Sequence, residues 1–144
     1  MNEALKRRVV PSHFLRLDGS SELGVPSLQL RLSFDFNAIA LIEERTGLFV
    51  IGGGDRSVWN HLNSARVLSV MLWATCLAHN PDLESDAGLE AIRSYMSPGN
   101  VQQISEALDE AFLISLPAAR QAEIRATRKN KQVPKEIAAD PGLA

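Results

Sequence analysis

The stretch SARVLSVMLWATCLAHNP, residues 64–81, decides the fold of this chain. It predicts a helix that is apolar on nearly every side, whereas a surface helix has one apolar stripe and one polar face. Asn63 or Ser64 can cap its start, and Asn80 and Pro81 stop it. At about 1.5 Å per residue the helix would span about 22 Å, the width of a small domain. We therefore expect a central core helix that the rest of the chain surrounds.

Length and composition fit one globular domain. The chain has 144 residues, of which 45% are hydrophobic and 22% are charged, and its formal net charge is -2. A charge this close to neutral argues against nucleic acid as the main partner. The single cysteine, Cys76, excludes an intramolecular disulfide and suits a reducing cytoplasm. The first ten residues show no secretory signal, and the apolar run at 67–78 is shorter than the about 20 residues of a membrane span.

Two short segments near the N-terminus predict strands. HFLRL at 13–17 precedes the turn dipeptide Asp18-Gly19, and LQLRLSF at 28–34 alternates apolar and polar residues with period two. The second segment would place its three leucines and its phenylalanine on one face. We predict a small antiparallel β element over 9–34 that needs helices to cover its apolar face.

The apolar pattern becomes helical after this β element. Asp35 can cap a helix over 36–46, and Gly47 stands at the position after its end. Ser85 or the residue after it starts a further helix, and Asn100 caps the last core helix. The predicted fold class is α+β, mostly α, with a small N-terminal antiparallel β element packed on a three- to four-helix core.

The composition changes after Pro117, where large apolar residues become few and basic residues accumulate. The segment 118–129 could be helical, and we expect the segment from Asn130 onward to be disordered or ordered only on binding. The predicted division is a single globular domain at 1–117, made of the β element at 9–34 and the helical core at 35–117, followed by a basic C-terminal tail at 118–144.

No residue pattern predicts a catalytic, cofactor or metal site. The run at 52–55, GGGD, lacks the lysine of a phosphate-binding GxxxxGK[ST] motif, so a flexible hairpin-like loop or a hinge is the better interpretation. The three histidines are not spaced to hold a metal on a helix. Cys76 and His79 could form a thiolate–imidazole pair, although a buried cysteine beside a helix-end histidine is the more ordinary arrangement. The carboxylates at 43–44 and 82–86 lack surroundings that would tune their pKa.

Two groups of residues are candidates for partner binding. The first is an apolar set around the glycine run, which is more apolar than a connecting segment requires, and grouped exposed apolar side chains mark partner sites. The second is a set of cations in the tail, where no aromatic residue is present to stack on bases, so a protein partner is favoured over nucleic acid. The candidates are Phe49, Val50, Ile51, Val58, Trp59, Arg125, Arg128 and Lys129.

Three segments resemble those of a known protein family. They are LRLSFDFNAIALIEERTG at 30–47, ARVLSVMLWATCLAHNPDLE at 65–84 and GLEAIRSYMSPGNVQQISEALDEAF at 88–112. Together they resemble the tail assembly chaperones of long-tailed phages and gene-transfer agents. The resemblance implies a non-enzymatic protein of the bacterial host cytoplasm, without a cofactor, that binds the tape-measure protein and helps recruit tail-tube subunits. Self-association into a homo-oligomer is an open alternative.

Three other functions stay open at the level of the sequence. The first is a different phage morphogenesis role, such as a head–tail connector or a tail completion factor. The second is a small thiol enzyme that uses Cys76 and His79. The third is a nucleic-acid-binding module built on the basic tail.

Overall fold

The computed structural model describes residues 10–19, 21, 22, 24 and 26–139, with side chains as far as residue 129. The strands in this part of the chain are β1 (His13–Leu17) and β2 (Leu28–Leu32), and the helices are α1 (Phe36–Thr46), α2 (Ala65–Cys76), α3 (Asp86–Ser94), α4 (Val101–Ile114) and α5 (Ala118–Ala139). The predicted fold class, α+β and mostly α with an antiparallel β element near the N-terminus, is confirmed.

The two strands form an antiparallel pair with one buried and one exposed face. Leu15 lies opposite Leu30, and the inward-facing leucines of both strands are buried except Leu28, which is partly buried. Phe14 lies opposite Arg31 on the outer face, where both are exposed. This alternation is the one that the period-two pattern predicted. The predicted start of the β element, residue 9, lies outside the described residues.

Helix α1 begins and ends at the predicted residues. The Asp35 carboxylate accepts a hydrogen bond from the Ala38 N–H at 2.9 Å, which satisfies one of the free donors of the first turn. Gly47 follows the helix with φ 70° and donates its N–H to the Glu43 carbonyl. A left-handed residue at this position favours glycine, because other side chains are strained there.

Helix α2 is buried around its whole circumference, so the predicted central core helix is confirmed. Every residue over 67–77 is buried. The two polar side chains within it are satisfied: Thr75 donates its hydroxyl to the Met71 carbonyl at 2.8 Å. The Ser69 hydroxyl accepts a hydrogen bond from Nε of Arg93 at 2.9 Å. Helix α2 is shielded from solvent by four elements that pack against it, namely α1, α3, α4 and β2.

The C-terminal end of α2 is joined to the end of the β element. α2 stops at Cys76, and the last carbonyls of a helix lack partners within it. The Thr75 carbonyl accepts a hydrogen bond from the Ser33 N–H at 2.9 Å. The Ser33 hydroxyl also lies 3.2 Å from Nε2 of His79. The chain just after β2 is therefore fixed against the end of the core helix.

Helices α3 and α4 begin after different kinds of turn. Ser85 caps α3, because its hydroxyl accepts a hydrogen bond from the Gly88 N–H at 3.1 Å. Asn100 precedes α4, but its side chain makes no hydrogen bond to the first turn, so the prediction that it caps the helix is wrong. It accepts from the Ser97 N–H at 2.9 Å and donates to the Tyr95 carbonyl at 2.9 Å instead. It thereby closes the turn that joins the two helices.

Helix α5 is longer than the sequence predicted. Its backbone is helical from Ala118 to Ala139, ten residues beyond the segment 118–129 for which a helix was predicted. The segment is rich in Lys, Gln, Glu and Ala, all good helix formers, whereas Pro134 is unfavourable in a helix interior because it lacks a backbone N–H and its ring crowds the preceding turn. Residues 140–144 lie outside the described part. Over the described residues every helix falls short of the length and apolarity that crossing a bilayer requires.

Gly88→Ala is expected to lower the free energy of unfolding by about 1–3 kcal/mol, the usual cost of overpacking. A Cβ at Gly88 would overlap with the backbone carbonyl of Leu83. Helix propensity alone predicts the opposite effect, because alanine in place of glycine should raise the free energy of unfolding by about 1 kcal/mol. Gly99→Ala is the control, because its Cβ would meet only Oγ of Ser97, at 3.7 Å. Urea unfolding followed by tryptophan fluorescence measures both, and a stabilised Gly88→Ala protein would contradict this account.

Candidate partner-binding site

The segment between α1 and α2 forms a closed loop, here called the glycine loop (residues 47–61). Its two arms run side by side. The Phe49 N–H donates to the Arg56 carbonyl at 2.8 Å, and the Val58 N–H donates to the Phe49 carbonyl at 2.9 Å. The arms run parallel where they pair, so the expectation of a hairpin-like connection is wrong. Loops whose ends meet and whose own side chains fill them are frequently functional.

Three successive glycines make the bend of this loop. Gly52, Gly53 and Gly54 have φ of 71°, 90° and 54°, a region that other residues rarely adopt. At Gly53 a Cβ would also lie 2.8 Å from Cβ of Phe49. The N–H groups of Arg56 and Ser57 donate to the carbonyls of Gly53 and Gly54. Because these donors are used within the loop, they are not presented to a phosphate.

Four of the five apolar candidates of the glycine loop divide into two buried and two exposed residues. Val50 and Val58 are only 1% and 0% exposed, so the expectation that they offer a partner surface is wrong. Phe49 and Ile51 are 45% and 59% exposed. Val58 begins a short 3-10 helix (Val58–Asn60), and both valines are members of the hydrophobic core cluster. Val50 and Val58 therefore belong to the core.

Trp59 is half-buried and anchors the loop to the core. Its indole N–H donates to the Val50 carbonyl at 3.0 Å. Its ring centroid lies 5.8 Å from that of Phe34 and 5.2 Å from that of Phe112, distances at which aromatic pairs attract each other. Trp59 thus fixes to the core the backbone of Val50, which lies between Phe49 and Ile51.

Two of the three basic candidates are engaged within the chain. Arg125 pairs with Glu110 at 2.7 Å. Arg128 makes two hydrogen bonds to the Asp109 carboxylate, at 2.8 and 3.0 Å. Lys129 is exposed. Ion pairs this exposed contribute about 0–1 kcal/mol each, but they neutralise the arginines that would attract an anionic partner.

Helix α4 connects the two candidate groups. Asp109 and Phe112 are three residues apart on α4, so their side chains project from neighbouring positions on its surface. One receives Arg128 and the other packs against Trp59. The glycine loop and α5 are thus both attached to α4.

The Cys76 thiol and the His79 imidazole have separate partners. Cys76 donates its S–H to the Trp73 carbonyl at 3.1 Å. Burial raises the pKa of the Cys76 thiol to about 12. The negative charge of Asp82 also raises this pKa, whereas a hydrogen bond with the backbone of Cys76 itself lowers it. The thiolate is therefore nearly absent at neutral pH. Among the described residues no cluster of three or more histidine, cysteine or acidic side chains could hold a metal.

A second apolar surface, which the sequence did not indicate, lies where three helix ends meet. This groove of about 620 Å³ is formed by the start of α2, the end of α3 and the start of α4. Met96 and Val101 carry part of its apolar wall and also pack against the hydrophobic core. The residues that line it are Ala65, Arg66, Leu68, Ser69, Arg93, Met96, Ser97, Pro98 and Val101.

Comparisons with known proteins returned no match to a family model, to a curated protein or to a solved structure. The functional assignment of the chain is therefore a proposal that depends on its own residues and on the resemblance described above.

In the native protein, Cys76 is expected to react with iodoacetamide at about pH 8 far more slowly than in urea, because the thiol is buried and protonated. Mass spectrometry of the alkylated chain measures both rates. Labelling as fast in the native state as in urea would contradict the burial.

The same shift predicts a loss of stability in alkaline solution. In the folded state the pKa of the Cys76 thiol lies above its ordinary value of 9.0. The stability that comes from burying the protonated thiol is therefore intact below about pH 9 and falls as the pH approaches 12. Cys76→Ala should lack this part of the pH dependence. Urea unfolding of the unaltered chain and of Cys76→Ala from about pH 9 to 12 measures this difference. The same dependence of the free energy of unfolding on pH in both proteins would contradict the raised pKa.

Proposed function

We propose that this chain is a non-enzymatic assembly chaperone for phage or prophage tails, which binds the tape-measure protein and helps recruit tail-tube subunits. One observation carries the proposal beyond the resemblance: Phe49 and Ile51 are exposed side by side on a loop that hydrogen bonds and Trp59 hold in place. We call this pair the apolar platform.

The apolar platform suits an extended helical client. An amphipathic helix can lay its apolar face over such side chains. Fully burying a large apolar side chain contributes about 1.5–3 kcal/mol before the cost of ordering the partners. The glycine loop is already ordered by its own hydrogen bonds, so this cost is smaller on the chaperone side.

The properties of Cys76 and of the α5 arginines argue against two of the alternative functions. A thiol enzyme needs a thiolate, and the Cys76 thiol is buried with a raised pKa. A nucleic-acid module built on the tail needs free cations, and Arg125 and Arg128 are paired with carboxylates of α4. A head–tail connector remains the main rival, and purified particles distinguish it, because a connector stays in the virion whereas an assembly chaperone is absent from it.

Substituting Phe49→Ser together with Ile51→Ser should weaken capture of the tape-measure protein by about tenfold or more, because both apolar contacts are lost. The measurement is co-expression with a candidate tape-measure protein from the same genome, followed by affinity capture and by counting of assembled tails. The fold should be retained, since both side chains are exposed.

Phe14→Ser together with Phe36→Ser is the matched control, because these phenylalanines are 50% and 77% exposed and lie outside the glycine loop. Equal loss of capture in both double variants would contradict the apolar platform. Failure of the unaltered chain to bind the tape-measure protein would overturn the proposed function itself.

A further inference from the structure

The groove at the meeting point of α2, α3 and α4 has an apolar floor and open edges. Leu68 at its floor is buried, whereas Met96 and Val101 are half-buried and offer part of their side chains to the opening. Arg66 and Pro98 at its edges are exposed. A groove that is open along its edges buries one face of a helix better than it encloses a small molecule, which needs most of its surface covered.

The charges of the groove all have one sign. Among the residues that the structure describes, Arg66 and Arg93 are the only charged ones that line it, and none of the described carboxylates does. Both guanidinium groups are held in place: Nη1 of Arg66 donates to the Arg45 carbonyl at 3.1 Å, and Nε of Arg93 donates to the Ser69 hydroxyl at 2.9 Å. Each arginine has further N–H donors for an acidic group of a partner.

The nearest carboxylates lie in an adjoining depression. Asp86 and Glu90 line that second depression together with Arg45, and the two groove arginines border it as well. Asp86 pairs with Arg45 at 3.2 Å. The two carboxylates therefore offset only part of the positive charge of the three arginines. The edge of the groove keeps a net positive charge.

We propose that this groove binds an acidic amphipathic helix of a partner protein. The apolar face of the helix packs on Leu68, Met96 and Val101, and its flanking Asp or Glu side chains pair with Arg66 and Arg93. Methionine adapts its shape to different apolar surfaces, which suits a docking groove. The proposal does not depend on the tail assembly role, because it concerns a surface other than the apolar platform.

Helix α5 of a second copy is a poor occupant of the groove. Three of its described arginines are paired with carboxylates: Arg120 with Glu123, Arg125 with Glu110 and Arg128 with Asp109. Glu123 is the only carboxylate among the described side chains of α5, so this helix offers no free acidic group to Arg66 and Arg93. The proposal therefore commits to an acidic helix of a different protein.

The test uses two synthetic peptides on the full chain. Both carry leucines at i, i+3, i+4 and i+7 of a helix, and the flanking positions are Glu in one peptide and Lys in the other. We expect the acidic peptide to bind about tenfold or more tightly than the basic one. Titration of the ¹⁵N-labelled protein should move the amide resonances of Leu68, Met96 and Val101.

A charge-reversed variant completes the test. Arg66→Glu with Arg93→Glu should reverse the preference of the chain from the acidic to the basic peptide. Arg16→Glu with Arg31→Glu, which makes the same change of charge on the outer face of the β element, should leave the preference intact. Equal binding of both peptides to the unaltered chain, or resonance changes at Phe49 and Ile51 instead of the groove, would overturn the proposal.

Discussion

The burial of α2 on every side is the constraint on which the rest of the structure depends. A helix of 12 residues with apolar side chains around its circumference gains stability only when other elements cover each of its faces. α1, α3, α4 and β2 each pack against one part of it. The two strands alone would be marginally stable in water, and they persist because their leucine face and the Ser33 N–H are both engaged with the helical core.

The candidate sites are consequences of that arrangement. The glycine loop spans the distance from the end of α1 to the start of α2, and Val50, Val58 and Trp59 attach it to the core. Val50 is buried between Phe49 and Ile51, which are both exposed, so the residue that fixes this arm of the loop separates the two exposed side chains. Exposed apolar side chains on a fixed backbone favour binding more than the same side chains on a mobile loop. The reason is that binding then costs little conformational entropy of the loop.

Local signals in the sequence sufficed for the limits of α1 but not for the end of α2, which stops at Cys76 before Asn80 and Pro81, nor for the surface. Asp35 and Gly47 specify α1 through hydrogen bonds within a few residues, so their roles can be predicted from type and spacing. The run Leu48 to Ile51 is apolar throughout, so the buried side of the loop cannot be predicted from periodicity. The pairing of Arg128 with Asp109 and the groove itself require helices brought together by the fold, and no single segment encodes them.

The glycine loop leads into the part of the core helix that lines the groove. The loop ends at residue 61, and α2, whose first residues line the groove, begins at Ala65. Arg66 also donates a hydrogen bond to the carbonyl of Arg45, close to the point where the loop leaves α1. The first turn of α2 is therefore fixed to the end of α1 by a side chain that lines the groove. The packing that covers the core helix thus also fixes one wall of the groove.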